Sequence, residues 1–220
     1  LEAGAKFEYA LAAPEQIRNE FGEQLLDKLG AAGVDLYELP GELLSELSGR
    51  EKSSGLLAVC RENYQALREL DANGIKSLVG IVEAADPGNV GAVLRSLDAF
   101  GVDGLLMLDG GVDAYHPSAV RAGMGAHFRK HIVIASFAEC VSWAKANGFA
   151  LVGSSAKDGV ALSEAHVPHP FILLLGSERE GLSMEQKAAC DQLLRIEMRG
   201  RATSLNLAVA GGILLNSLMN

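Results

Sequence analysis

From Ser77 onward the chain alternates short apolar runs with segments of helical spacing, and this alternation restricts its fold more than any other feature. The runs Ser77 to Val82, Leu105 to Leu108, His131 to Ala135, Phe149 to Ser154, Phe171 to Leu175 and Leu193 to Ile196 predict strands. Between them, Val90 to Phe100, Ser118 to Met124, Phe137 to Asn147 and Met184 to Ala189 predict helices, and Ser204 to Met219 closes the chain as another. Strands joined through helices predict a mostly parallel sheet covered on both faces, an α/β fold. Composition agrees: 49% of residues are hydrophobic and only 5% aromatic, which suits such layers better than a sandwich.

At 220 residues there is room for a second, smaller domain. Phe7 to Leu11 predicts a strand, Pro14 a helix start, and Ile17, Phe21, Leu25, Leu26 and Leu29 one apolar helical stripe. Val34 to Leu39, Gly41 to Leu47 and Gly55 to Cys60 continue as strand, short helix and strand, while the polar stretch Arg61 to Lys76 reads as a helix-containing linker. The expected division is therefore a domain over 1–70, a linker over 71–76 and a larger domain over 77–220. No internal repeat or low-complexity stretch interrupts either.

Cys60, Cys140 and Cys190 are odd in number, widely spaced and without a Cys-x-x-Cys pair, so they predict buried free thiols in a reducing compartment. His116, His127, His131, His166 and His169 show no metal-site spacing beyond the four-residue interval of His127 and His131; loop or surface roles and no metal are expected. The longest nearly apolar run, Leu205 to Leu215, is too short to span a bilayer, and no basic-then-apolar leader opens the chain. A soluble, cytoplasmic protein is expected, and because residue 1 is Leu the sequence also reads as a fragment lacking its true start. The net charge of −9 opposes nucleic-acid binding. Two basic clusters offset it locally: Arg121, Arg129 and Lys130, and Arg195, Arg199 and Arg201.

Three segments carry candidate chemistry. In Asp86-Pro87-Gly88-Asn89-Val90-Gly91-Ala92-Val93-Leu94-Arg95, Pro87-Gly88 fits a type II turn and Asn89 a helix N-cap, which leaves Arg95 unexplained. Leu175-Gly176-Ser177-Glu178-Arg179-Glu180-Gly181-Leu182-Ser183 follows an apolar strand, the place where open α/β sheets gather ligands and where glycine admits close backbone approach. It matches neither a dinucleotide fingerprint, a P-loop nor a nucleophile elbow. In Ile196-Glu197-Met198-Arg199-Gly200-Arg201-Ala202-Thr203-Ser204-Leu205-Asn206, continued by Ala208 to Gly212, Thr203 or Ser204 can cap the last helix. Asn206 needs a polar partner there. The small residues Ala208, Ala210, Gly211 and Gly212 predict close packing by another helix or backbone, with a dimer interface as one option.

In this order and after these strands, the three segments resemble the signature motifs of the SpoU (TrmH-like) branch of the SPOUT methyltransferases. The resemblance rests on Asn89 with Arg95, on Gly176-Ser177-Glu178 with Gly181, and on Ile196, Met198, Gly200 and Ser204-Leu205-Asn206; His116 to Ala126 also looks like the family. It covers residues 77–220, and residues 1–70 look like a shortened form of the family's ribosomal-protein-like, RNA-binding N-terminal domain. The resemblance implies a Rossmann-like sheet with a C-terminal trefoil knot, a homodimer, and S-adenosylmethionine held by Gly176, Ile196, Leu205, Ser154 and Met198. It implies methyl transfer to a ribose 2′-hydroxyl of RNA, ribosomal RNA being favoured over transfer RNA because of the N-terminal domain. Arg95, Asn89, Glu178, Ser204 and Asn206 would be catalytic, and Arg121, Arg129, Arg199 and Arg201 would contact RNA. An arginine stays protonated in proteins, so Arg95 suits an electrostatic stabiliser or phosphate clamp better than a base. The chain departs from the family at Glu197, where proline is usual, and at Ala208, where serine is frequent. Two other readings share these motifs: a drug-resistance methyltransferase, and a non-catalytic RNA-binding or assembly protein.

Overall fold

The computed structural model describes all residues except Arg50 and Lys52 and divides into two compact units, Leu1–Glu62 and Asn63–Asn220. In the first, strands β1 (Phe7–Ala12), β2 (Leu36–Glu38) and β3 (Leu56–Cys60) form a sheet in the order β2-β1-β3, parallel between β1 and β2 and antiparallel between β1 and β3. Helices α1 (Glu20–Ala31) and α2 (Gly41–Ser48) connect them. Asn19 caps α1 by accepting from the Gly22 amide, and α2 ends on Gly49 in the left-handed region.

The second unit is built on an eight-stranded sheet: β4 (Tyr64–Ala66), β5 (Ser77–Ala84), β6 (Gly104–Gly111), β7 (His131–Ala135), β8 (Ala150–Ser155), β9 (Val160–Ala161), β10 (Phe171–Leu175) and β11 (Gln192–Arg195). Their order is β4-β7-β6-β5-β10-β8-β11-β9, and every pairing among the described residues is parallel. Helices α3 (Pro87–Phe100), α4 (Pro117–Gly123), α5 (Phe137–Asn147), α6 (Met184–Ala188) and α7 (Leu207–Leu218) make the crossovers and close the chain. Central strands are covered on both faces, so they read as unbroken apolar runs: Phe171 through Leu175 are all buried, as are Leu105 through Leu108. Each such leucine contributes about 1.5–3 kcal/mol by leaving water. Two apolar clusters, one on each side of the sheet, result: Val90, Val93 and Leu97 of α3 pack in one, and Cys140 and Ala144 of α5 in the other.

Several expectations shift. The boundary falls at Glu62, not at 71–76, because Tyr64 to Ala66 pair with β7 and Leu67 and Leu70 are buried in the larger core. What reads as linker is thus an edge strand and a 3-10 turn, too short to show periodicity. Pro87-Gly88 is no free turn: Asp86 caps α3 by accepting from the Gly88 amide at 2.6 Å, Pro87 takes the first helical position, and Asn89 lies inside the helix. Helix α7 starts at Leu207 with Asn206 as its cap, not at Thr203 or Ser204. Cys140 is buried, whereas Cys60 and Cys190 are half-buried; burial pushes the Cys140 thiol up to about 12 and the Cys190 thiol up to about 11. His127 is buried, not a loop or surface residue, with Nε2 2.8 Å from the Ala114 carbonyl and its pKa lowered by desolvation. Among the described residues no helix is long and apolar enough to cross a membrane.

Helix contacts within this unit are close. A Cβ on Gly91 would run into the Ala119 carbonyl of α4, whereas one on Gly212 would sit 3.6 Å from Ser96 Oγ, an ordinary contact. Gly91→Ala is therefore expected to lower the unfolding free energy by about 1–3 kcal/mol. Gly212→Ala is expected to raise it by about 0.5–1 kcal/mol, since it removes a helical glycine without a clash. Urea denaturation midpoints of the two variants test the contrast.

Candidate active site

The chain runs from β5 to β6 to β7 in one direction, then returns to build β8, β10 and β11 on the other side of β5. The order reverses between β5 and β10, and the carboxyl ends of the strands beside such a reversal are the usual place for a ligand. The first and second motifs follow β5 and β10, and the third runs from the end of β11 into α7.

Side chains from all three motifs join there. The Glu178 carboxylate, in the loop after β10, accepts from the Ala85 amide at 3.1 and 3.3 Å, the Asp86 amide at 3.3 Å and Asn89 Nδ2 at 3.3 Å. Asn89 presents its oxygen the other way, accepting from Asn206 Nδ2 at 2.9 Å. Asn206 Oδ1 in turn accepts from the Ala208 and Val209 amides at 2.9 and 3.3 Å, which is the cap of α7. The expectation of a polar partner for Asn206 is met twice over, by a helix end and by another motif. Glu178 needs donors and Asn206 has a donor to spare; Asn89 supplies one group of each kind, which an aspartate could not.

Beside this chain lies a cavity of about 330 Å³, within the range of about 300–1,000 Å³ usual for small-molecule sites. Leu175, Leu194, Leu207 and Leu214 give it an apolar lining, and Gly176 to Leu182 form one wall. That wall is a tight turn: the Gly181 amide donates to the Ser177 carbonyl at 2.9 Å, and a Cβ on Gly176 would strike the Gly181–Leu182 backbone. Ser154, Gly176, Ile196, Met198 and Leu205 all line the cavity, as do Glu178 and Ser204. Apolar side chains, backbone amides and a few charged groups form a donor set that fits S-adenosylmethionine, which carries a flat base, a ribose and a charged amino-acid end.

Arg95 stands apart. Six residues beyond Asn89 on α3, it is turned by about 120° from the Asn89 face, is exposed, and has no hydrogen bond or ion pair among the described residues. The basic candidates differ among themselves. Arg129 is held by Asp98 of α3 at 2.7 Å, and this bond keeps the Asp98 carboxyl below the usual range. Arg121 is exposed and donates to Ser118 Oγ at 3.2 Å, while Arg199 and Arg201 are exposed without a partner among the described residues. Glu197, at the position of departure, accepts from Ser163 Oγ at 3.2 Å. Sequence reasoning missed Lys157 and Lys187, which also line the cavity, and Asp158, which pairs with Lys187. The signal available was Ser155 to Gly159, a turn-forming run directly after a strand. Among the described residues no group of three or more His, Cys, Asp or Glu side chains is placed to hold a metal ion.

A parallel α/β sheet with a ligand cavity over the carboxyl ends of β8, β10 and β11 defines the class of this unit. The chain belongs to the SpoU rRNA Methylase family, whose profile matches residues 76–216. It is 31% identical over 183 residues to the 23S rRNA (guanosine(2553)-2′-O)-methyltransferase RlmP of Bacillus subtilis, covering 83% of this chain and 72% of that one. It is 30% identical over 204 residues to the 23S rRNA (guanosine-2′-O-)-methyltransferase RlmB of Coxiella burnetii, covering 88% and 80%. Among solved structures it resembles an AdoMet-bound rRNA methyltransferase from Sinorhizobium meliloti, with TM-score 0.87, 28% identity and coverage of 98% of this chain and 80% of that one. It also resembles the SpoU methyltransferase AviRb of Streptomyces viridochromogenes in complex with AdoMet, with TM-score 0.86, 26% identity and coverage of 99% and 84%.

The dual role of Asn206 separates by substitution. Asn206→Ala removes both the cap and the bond to Asn89 and is expected to cost about 1 kcal/mol of stability. Asn206→Asp keeps an acceptor for the α7 amides, and is expected to recover most of that loss while remaining unable to donate to Asn89. Guanidinium denaturation reads the stability difference.

Proposed function

We propose that this protein is an RNA ribose 2′-O-methyltransferase that uses S-adenosylmethionine and acts on ribosomal RNA. The observation that carries the reading is the Glu178–Asn89–Asn206 chain, which joins three family motifs beside a cavity fitted to the methyl donor. The curated relatives named for 23S rRNA 2′-O-methylation support ribosomal RNA as substrate.

The donor supplies an electrophilic methyl group on a sulfonium. The protein's own residues must bring the ribose hydroxyl in line with it and stabilise the oxygen as its proton leaves. Gly176, Ile196, Met198 and Leu205, with Ser154 at the end of β8, line the donor's cavity. Positioning of this kind lowers a barrier by several kcal/mol, up to about 7–11. Arg95, permanently charged and without an internal partner, stabilises the developing alkoxide or clamps the neighbouring phosphate. Asn89, Asn206 and Glu178 fix the start of α3, the helix that carries Arg95 about two turns further on, and Ser204 faces the ribose from the third motif. Arg121, Arg199 and Arg201 contact RNA phosphates. Arg129 belongs to the same basic surface, with Asp98 as its competing partner. The N-terminal unit is the substrate-binding domain, the working enzyme is a homodimer, and the C-terminal segment carrying the third motif is threaded as a trefoil knot; family membership supports all three.

Two variants and one assay test the proposal. Arg95→Ala is expected to lower labelled methyl transfer to ribosomal RNA by about 10²–10³-fold, with unchanged circular dichroism and unchanged calorimetric affinity for S-adenosylmethionine. Gly176→Ala is expected to lose that affinity, because its Cβ displaces the turn forming the cavity wall. Full transfer activity in a folded Arg95→Ala protein would remove Arg95 from the mechanism. Donor binding by the wild type with no transfer to any RNA would remove the enzymatic reading itself.

A further inference from the structure

The cavity has two electrically different ends. Glu178 stands beside the catalytic chain, while Lys157 and Lys187 line the side formed by the loop after β8 and by α6. β8 is separated from β5 by β10, so this second side is two strand spacings, about 10 Å, from the strand that leads to Asn89 and Arg95. The two lysines are not equivalent. Lys187 Nζ is paired with Asp158 at 2.9 Å, while Lys157 is exposed, its ammonium has no hydrogen bond or ion pair among the described residues, and Asp158 acts on it only as a nearby charge.

The loop that carries Lys157 is fixed at three points. Ser155 Oγ accepts from the Lys157 and Asp158 amides at 3.3 and 3.0 Å. The Asp158 carboxylate is tied to α6 through Lys187. Gly159, at φ +101°, lies so close to the Leu193 carbonyl that no side chain could be accommodated. Asp158 neutralises one lysine and leaves Lys157, on a braced turn, without an ion pair; Arg179, the other unpaired cation of the cavity, stands in the Gly176–Leu182 wall between Glu178 and Glu180. A cation at Lys157 repels an ammonium or sulfonium and attracts a carboxylate.

We propose that Lys157, braced by Ser155 and the Asp158–Lys187 pair, is the residue that receives the carboxylate of the methyl donor's amino-acid end. The assignment rests on the methyl-donor reading above and makes Lys157 a positioning residue: with the carboxylate held on the β8 side, the rest of the donor extends toward Asn89 and Arg95.

Two ligands differing only in the amino-acid end test it by calorimetry on the full chain: S-adenosylhomocysteine, which has the carboxylate, and 5′-methylthioadenosine, which lacks it. Lys157→Met is expected to weaken S-adenosylhomocysteine binding about tenfold, as a charge-assisted hydrogen bond in a partly open site would, and to leave 5′-methylthioadenosine binding unchanged. Lys157→Arg is expected to restore most of the loss. If Lys157→Met weakened both ligands equally, or neither, the assignment would be overturned while the methyl-donor reading stood. If the wild type bound neither ligand, the methyl-donor reading would fall as well.

Discussion

The hydrogen-bonded chain from Glu178 through Asn89 to Asn206 is the interaction on which the site depends. Its members lie 89 and 117 residues apart in sequence, so only the folded sheet brings them together. Glu178 draws two backbone amides at the start of α3 and the Asn89 side chain to one carboxylate, while Asn206 ties the start of α7 to the same place. Glu178 thus places its negative charge at the N-terminus of α3 and offsets the partial positive charge there, while the neutral Asn206 oxygen satisfies the N-terminus of α7. All three residues are at least partly open to water in the free protein. Their bonds strengthen when bound donor and RNA exclude solvent, because the same charges then interact through a lower dielectric.

The cavity lies to one side of this convergence, over the carboxyl ends of β8, β10 and β11, and the loop after β10 serves both: Gly176 to Leu182 form a cavity wall while Glu178 reaches the start of α3. Buried apolar runs in β5, β6 and β10 keep the strand ends rigid, and α7 supplies part of the cavity lining through Leu207 and Leu214. Gly211 of α7 serves this arrangement inside the chain: a Cβ there would meet Leu175 at 3.1 Å, so α7 sits close against the strand that ends at Leu175. On the function proposed above, an acidic chain acts on RNA through local basic groups. Arg95, Arg199 and Arg201 are exposed without internal partners, whereas Arg129 is engaged by Asp98.

How much of this was legible before folding depended on the range of the interactions involved. The buried strands and the helices of the larger unit follow from local apolar spacing and lie within three residues of their predicted limits, whereas Pro14 opens a 3-10 turn and α1 begins only at Glu20, after the Asn19 cap. Helix caps were less legible, since Asn89, Ser204 and Thr203 have side chains as suitable as those of Asp86 and Asn206, which do the capping. Backbone geometry decides among them. The edge strand β4 is three residues long, and only its pairing with β7 makes it a strand. The motif residues were legible as chemistry, while their connection was not: nothing local to Asn89 indicates that its two amide ends face Glu178 and Asn206. Lys157 and Lys187 passed unnoticed because a lysine beside a loop is ordinarily solvated, and only the cavity distinguishes these two.

The central claim concerns which atom is methylated. Incubation of the protein with S-adenosylmethionine carrying a deuterated methyl group and with unmodified 23S ribosomal RNA, followed by digestion to nucleosides and mass spectrometry, measures this directly. The account predicts a single 2′-O-methylnucleoside carrying the label on its ribose. A label on the base, or none in a protein that binds the donor, would contradict it.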